Sequence, residues 1–386
     1  MRSPTLSACL TFGLLMLAAC TEADRNDEAR QEASEAAAPQ GADTMASRDP
    51  APDEQVQDGL PDSEARPVMQ AQVVLDRQGF SSGVIDGEPS AAFANALEAF
   101  QEARGLPVTG ALDEATSHVL AEWSNIPATR IVTIPEDWAG ITYAALPEDV
   151  AEQAKLADLG YASMAEKLAE RFHTTPEVLA MLNPGGQPAG AAAATPAPTP
   201  ARASTVLSFA PDQQIRAPNI GADFIERGRI ENAKWLETLR SLGVGTRQPD
   251  VARLVVDESE RWLRAYDAED RLVAAFTVTT GSEHDPLPIG DWKVKAVARN
   301  PTFVFNPELF WDVDDGEEKQ HLPPGPNSPV GVVWIDLDKE HYGIHGTPEP
   351  ALIGQSESHG CVRLANWDAA RLAQMASGRT KVEFRS

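Results

Sequence analysis

Two pieces, Ile344-His345-Gly346-Thr347 and Ser358-His359-Gly360-Cys361-Val362-Arg363-Leu364, decide how this chain is read. The chain has three cysteines, at positions 9, 20 and 361. Cys9 lies inside an N-terminal apolar run and Cys20 ends it, which leaves Cys361 as the free thiol of the folded part. No intramolecular disulfide is then open to it. In an oxidising compartment a stray thiol is a liability. Two histidines close in sequence give this one a use, as a nucleophile with its base. The other reading is a buried cysteine acting as a small apolar filler, and the polar, glycine-bearing flanks argue against it.

A cysteine attacks a carbonyl as its thiolate, and a nearby imidazole can take the proton. His359 stands two residues before Cys361. On an extended strand that spacing puts both on one face, and a turn would break the rule. His345 follows a strand end and needs the fold to bring it close. Zinc bound by His345, His359 and Cys361 is an alternative, but no fourth cysteine is available and the spacing is not that of a common zinc site. A papain-type or cell-wall cysteine endopeptidase is another, yet those run Cys before His at long range.

Around these residues the chain reads as strands. Leu254-Val255-Val256, Trp262 to Tyr266 and Leu272 to Val278 alternate or run apolar, with Asp267-Ala268-Glu269-Asp270 as a hairpin loop between two of them. Further strands are expected at Trp292-Lys293-Val294, Gly331 to Ile335, Tyr342-Gly343-Ile344 and Lys381 to Phe384, with a single clear helix at Asn366 to Met375.

His345, a gap of about fifteen residues, then Ser358-His359-Gly360-Cys361 resembles the catalytic signature of the L,D-transpeptidase family. Pro288-Ile289-Gly290-Asp291-Trp292 and Asn300-Pro301-Thr302-x-x-x-Asn306-Pro307 are similar to further family pieces. The resemblance covers residues 251–386, about a third of the chain, and implies a mostly-β, β-sandwich-like catalytic domain. It assigns Cys361 as nucleophile and His345 as base. The Gly346 carbonyl would fix the tautomer of His345. His359 would line the pocket, and backbone N–H groups at Gly360 and Cys361 would hold the oxyanion. Ser358, Arg363 and Asn366 fall on the substrate side of the site. Ser358 would also support the loop. The Arg363 fork matches a carboxylate and equally suits an ordinary salt bridge, while Asn366 equally suits a helix cap.

The activity implied is peptidoglycan L,D-transpeptidation. A tetrapeptide stem donates its acyl group to Cys361, D-Ala leaves, and an amine takes the acyl group. The product is a 3→3 cross-link, or an attached lipoprotein if its lysine is the acceptor. With water instead, the enzyme is an L,D-carboxypeptidase. No metal or organic cofactor is implied. The remaining alternative is a non-catalytic peptidoglycan-binding lipoprotein, because motif and fold do not guarantee function.

Residues 1–20 carry Arg2, an apolar run from Leu6 to Leu17 and the small-residue site Leu17-Ala18-Ala19-Cys20. The run is too short to span a membrane comfortably. It resembles a bacterial lipoprotein signal, which implies a lipid-modified Cys20. The other reading is an ordinary secretory signal. Thr21, not Asp, follows the cysteine, which points to the inner leaflet of the outer membrane, facing the periplasm. Residues 21–66 are rich in Ala, Asp, Glu, Gln and Pro and read as a disordered acidic tether. The formal net charge is −26, which argues against nucleic acid and anionic membrane surfaces as partners.

Residues 67–123 show three helical patterns, with Ser90 as a cap and Phe93, Leu97 and Phe100 at helical spacing. Leu75-x-x-x-Gly79-Phe80, Gly83 to Gly87, Ala96-x-x-x-Phe100-Gln101 and Leu106-Pro107-x-x-Gly110 resemble the small peptidoglycan-binding domain. Its usual first aromatic is missing. Within 137–222, Ile141-Thr142-Tyr143 reads as a short strand. Leu168-Ala169-x-x-Phe172, Leu179-x-x-Leu182-Asn183-Pro184 and Ile215-x-x-Pro218-Asn219 resemble a LysM domain, a glycan binder of strand-helix-helix-strand order, with 185–203 as a low-complexity insertion. Residues 223–250 read as a connector whose helix runs from Ile225 to Leu242. The N-terminal modules are expected to raise the local wall concentration, to an extent set by the linkers.

Overall fold

The computed structural model describes residues 62, 64–190, 208–221, 225–226, 228–309 and 318–386. The expected signal, Cys20, nearly all of the acidic tether and most of the low-complexity insertion lie outside them.

The first helices are α1 (Pro67–Arg77), α2 (Ala91–Ala103) and α3 (Glu114–Leu120). Pro67 opens α1 at the position where its missing N–H costs nothing. Ser90 caps α2 by accepting from the Phe93 N–H, and Asp113 caps α3 by accepting from that of Thr116. Phe93, Leu97 and Phe100 all point inward, and Phe80, Phe100 and Trp123 meet edge to face.

Next comes β1 (Thr129–Thr133), then α4 (Val150–Gln153), α5 (Met164–Arg171), α6 (Pro176–Leu182) and β2 (Gln214–Pro218). β1 and β2 pair antiparallel, from Thr129 opposite Pro218 to Thr133 opposite Gln214. Leu168, Phe172 and Leu179 of the helical part close over Val132, Ile134, Ile215 and Ala217. The first strand is therefore at 129–133, not at Ile141-Thr142-Tyr143. The β-branched run Thr129-Arg130-Ile131-Val132-Thr133-Ile134 has a buried surface to fill, whereas Ile141 is 36% exposed. Helix α7 (Ala233–Ser241) is also shorter than the 225–242 expected. Gly228 has φ +81°, outside the helical region, and Asn232 caps the helix by accepting from Trp235 N–H at 3.0 Å.

The remaining elements are β3 (Arg253–Asp257), β4 (Trp262–Tyr266), β5 (Leu272–Thr277), β6 (Gly290–Arg299), β7 (Phe303–Phe305), β8 (Gln320–Leu322), β9 (Val333–Leu337), β10 (Gly343–His345), β11 (Val362–Arg363), α8 (Asn366–Met375) and β12 (Lys381–Arg385). Eight of the strands form one sheet in the order β11-β10-β9-β6-β12-β3-β4-β5. The long β6 joins its halves. Its first residues, Gly290 to Lys293, pair with β12, and those from Val294 on pair with β9, with a bulge between Val294 and Ala296. A bulge bends and twists a strand, so the sheet curls. Leu254, Val256 and Phe276 from one half then share a core with Ile335, Leu337 and Ile344 from the other, and with Trp367, Leu372 and Ala373 of α8.

The helical module covers the β5 edge of this sheet. Ser81 N–H donates to the Ala275 carbonyl at 2.8 Å, and Ala275 N–H donates to that of Gly79 at 3.0 Å. Covering an edge in this way removes a template for unwanted pairing. Deeper in, Asp76 of α1 receives both Arg371 Nη1 and Nη2, at 2.8 and 2.9 Å, and its Oδ1 meets His173 Nδ1 at 3.2 Å. His173 stacks on Trp367 with centroids 5.0 Å apart. Two N-terminal modules thus lock onto α8 through buried contacts. The expectation that linkers set their reach is corrected for residues 64–190, which are packed against the catalytic sheet.

Candidate active site

Strand register builds the site. β10 and β11 run parallel, with Ile344 opposite Val362 and His345 opposite Arg363. Opposed residues of a parallel pair point the same way and alternate along the strand, so His345 and Arg363 share a face. Continuing the register sets Cys361 beside Gly343, one strand repeat from His345. Thr279 clamps the outer side of β11, its N–H donating to Arg363 O at 3.0 Å and its carbonyl accepting from Arg363 N–H at 2.8 Å.

His345 is buried. Its Nδ1–H donates to the Gly346 carbonyl at 2.7 Å, which leaves Nε2 as the basic nitrogen. The ring stacks on Trp334, its cross-strand neighbour in β9, with centroids 5.4 Å apart. Burial, helped by the positive charge of Arg363, pushes the imidazole pKa down to about 3. Gly343 makes room for the indole, because a Cβ there would meet Trp334 at 2.6 Å.

Cys361 is half-buried. Its thiol points at the His341 carbonyl, with Sγ 3.8 Å from the oxygen. Burial pushes the thiol pKa up, against the Gly343 hydrogen bond and the Arg363 charge. At rest, then, thiol and imidazole are both neutral, and the thiol is turned toward the His341 carbonyl. Catalytic hydrogen bonds in unliganded sites are often loose in this way.

The loop ahead of the thiol is tightly held. Ser358 Oγ–H donates to Cys361 O at 2.6 Å, and its N–H donates to Thr280 O at 2.9 Å. Ser358 is buried, so its place is loop support. Gly360 has φ +91°, a conformation that favours glycine, and a Cβ there would meet the Tyr342 ring at 2.6 Å. The chain bends at 359–361 instead of extending, so strand alternation does not set half-buried His359 on the face of Cys361.

Asn366 departs further from the expectation. It is fully buried and caps nothing; α8 has Ala365 at its N-cap. Its Oδ1 accepts from Val332 N–H at 3.2 Å, and its Nδ2 donates to Glu170 Oε1 at 2.8 Å and to Pro326 O at 3.0 Å. It packs against Gly331 and Gly346, where a Cβ would clash with its oxygen. The Asn366 amide is thus spent inside the protein, where it ties the strand ends of the site to the α5 helix. Trp334 and Tyr342 are the residues that the sequence reading missed. The alternation of β9 opposite His345 is the signal that could have found Trp334.

Residues 252–384 match the family described as the L,D-transpeptidase catalytic domain. Residues 64–120 match one described as a peptidoglycan-binding domain. The YkuD protein of Bacillus licheniformis, whose name places it with the L,D-transpeptidases, is 33% identical over 142 residues, covering 36% of this chain and 70% of that protein. The chain belongs to the L,D-transpeptidase family. YkuD of Bacillus subtilis is 47% identical over 57 residues, 15% of this chain and 35% of its own length. YbiS of Escherichia coli strain K12, also named as an L,D-transpeptidase, is 29% identical over 135 residues, 34% of this chain and 44% of its own. The chain thus spans less than half of the latter two. The matched family segment contains the whole His345–Arg363 site, so the L,D-transpeptidase domain and the site built above are the same unit.

Proposed function

We propose that this chain is a peptidoglycan L,D-transpeptidase in which Cys361 is the nucleophile and His345 the base. The observation that carries the reading is the strand register that sets a half-buried thiol one repeat from an imidazole whose Nδ1–H is committed to Gly346. Nε2 of His345 takes the thiol proton as Sγ bonds to the carbonyl carbon of the third stem residue. The carbonyl π electrons move to oxygen, and backbone N–H groups at Gly360 and Cys361 hold that oxyanion. His345 returns the proton to the departing amine, D-Ala leaves, and a thioester remains. An acceptor amine then attacks the thioester and gives its proton to His345, which reprotonates the leaving thiolate. Arg363 takes the carboxylate of the departing D-Ala, as its fork suits.

The peptidoglycan-binding module and the LysM-like strand-helix-helix-strand segment present the domain to the wall as one packed body. The Leu17-Ala18-Ala19-Cys20 pattern supports a lipid anchor on Cys20 and a periplasmic location. Strands of peptidoglycan, a stem peptide and an amine acceptor, a lipoprotein lysine among the candidates, are its partners.

Intact-protein mass spectrometry tests the reading. After mixing with a disaccharide-tetrapeptide, the protein is expected to gain the mass of the acyl group and release D-Ala, and Cys361→Ala to do neither. A folded protein with a titratable thiol but no adduct and no D-Ala would sink it. Tripeptide alone, with no cross-linked product in the presence of acceptor, would make it a carboxypeptidase.

A further inference from the structure

In the proposed reaction His345 carries a positive charge for part of each turnover, and no acid faces it. When Nε2 takes the thiol proton, the S–H bond breaks, an N–H bond forms and the ring becomes an imidazolium. In other triads an acid meets that charge. Here the orienting group is the Gly346 carbonyl, a dipole with no net charge. Burial and the Arg363 guanidinium both act against the cation. Among the described residues no carboxylate is paired with His345.

The strand register shows what stands on the other side of the ring. On β10, His345 is opposed by Arg363 of β11 and by Trp334 of β9. Directly opposed residues point to the same face. Trp334, His345 and Arg363 therefore form one row across three strands, with the imidazole in the middle. The indole lies nearly parallel to the imidazole, with 20° between the planes and 5.4 Å between centroids. That separation lies within the ~6 Å over which an indole face attracts a cation. The same indole reaches diagonally over Gly343, where a Cβ would meet its Cζ2, Cε2 and Cη2 atoms at 2.6, 2.8 and 2.9 Å. Gly343 is also the residue whose backbone is hydrogen-bonded to the Cys361 thiol. One flat side chain thus packs on both the base and the backbone beside the nucleophile.

We propose that Trp334 is a positioning residue for the base: its indole face fixes the plane of the His345 ring and receives the positive charge that the ring gains on deprotonating Cys361. The π face does, in part, what the acid does in other triads, and it offsets Arg363 from the opposite side of the row. It favours the cation less strongly than a carboxylate would, so the resting imidazole stays neutral. This rests on the transpeptidase reading above.

The test keeps the shape of the side chain and weakens its face. Tryptophan carrying one, two or four ring fluorines is placed at position 334 alone, and D-Ala release from a disaccharide-tetrapeptide is compared with that of the native protein. Over the series kcat/KM should fall stepwise by about three- to thirtyfold, the span of cation–π contacts from exposed to desolvated, while Tm stays level. Trp334→Phe should keep part of the rate, and Trp334→Leu should lose at least as much as the most fluorinated protein. Equal rates across the fluorinated series overturn the inference, and a slow Trp334→Leu beside them would mean that the ring only packs. Wild-type protein that releases no D-Ala overturns the transpeptidase reading, and this inference with it.

Discussion

The Nδ1–H of His345 is held by the carbonyl oxygen of Gly346 at 2.7 Å, on the residue that follows it in the chain. A backbone carbonyl can only accept, so the contact fixes the tautomer as an acid does in other triads, without adding a negative charge. The bond still favours the imidazolium, but burial and the Arg363 charge outweigh it. Burial and then Arg363 press the His345 pKa down to about 3, while burial raises that of Cys361. The resting pair is therefore neutral, unlike the thiolate–imidazolium pairs that let some cysteine enzymes react at low pH.

A pH profile of thiol alkylation follows from this. The rate of iodoacetamide reaction at Cys361 should climb steadily from pH 6 to beyond pH 9, with no plateau at neutral pH. A reactive thiolate plateau between pH 5 and 7 would show that an ion pair exists and that the neutral resting state is wrong.

Arg363 acts on both partners in the same direction, lowering the pKa of His345 and of Cys361. Arg363→Met should raise both. The thiolate fraction at pH 8 then falls, and alkylation there should slow by about three- to tenfold, since each pKa unit is a factor of ten. The His345 imidazole, followed by NMR, should titrate at a higher pH than in the wild type. An imidazole unmoved by the change would place the Arg363 charge out of reach of the pair.

Much of this site was open to sequence reasoning and some of it was not. The strand positions, the thiol and the His345 motif carry local signals: alternation, composition and spacing. Trp334 and Tyr342 have none that singles them out, because what gathers them is the pairing of β9, β10 and β11. Asn366 shows the opposite failure. A polar residue opening a helix just after the motif fits a substrate contact or a cap equally well, and only packing shows that its amide is spent on Val332, Pro326 and Glu170. The apolar spacing over Ile225–Leu242 suggests a longer helix than forms, because Gly228 and the N-cap Asn232 make it begin only at Ala233.

Replacing Asn366 tests that packing. Asn366→Ala should leave Val332 N–H and Glu170 without their partner inside the protein and cost about 2–4 kcal/mol. The readout is a lowered Tm or denaturant midpoint. Activity per folded molecule, counted by thiol titration, should fall much less than stability does. Loss of turnover with unchanged stability would return Asn366 to the substrate site.

The junction between the modules and α8 makes stability depend on pH. Burial pushes Asp368 up to about 8, the Asp76 charge adding to this and Arg371 opposing it. Burial likewise takes Glu170 up to about 8, against the hydrogen bonds from Asn366 and Tyr161. Both carboxyls hold their proton in the folded protein at neutral pH and lose it in the unfolded chain near pH 4. The folded state then binds more protons, so these two groups make stability fall as pH rises from about 4 to about 8. Asp76 works the other way. Arg371 and His173 overcome its burial and hold it well below the usual carboxylate range, so its contribution is complete above pH 4 and lost only in stronger acid. His345, held near 3 in the fold, opposes them by one proton up to about pH 6.5, but the two raised carboxyls outweigh it, so Tm should decline between pH 5 and pH 8 and most steeply above about pH 6.5. Asp368→Asn, which keeps a neutral acceptor for the Ser81 hydroxyl at 2.8 Å, should flatten the decline, and Glu170→Gln should do the same in part. A Tm that rises across the window, or a slope the same in both variants as in the wild type, would mean that these carboxyls are ionised within the fold.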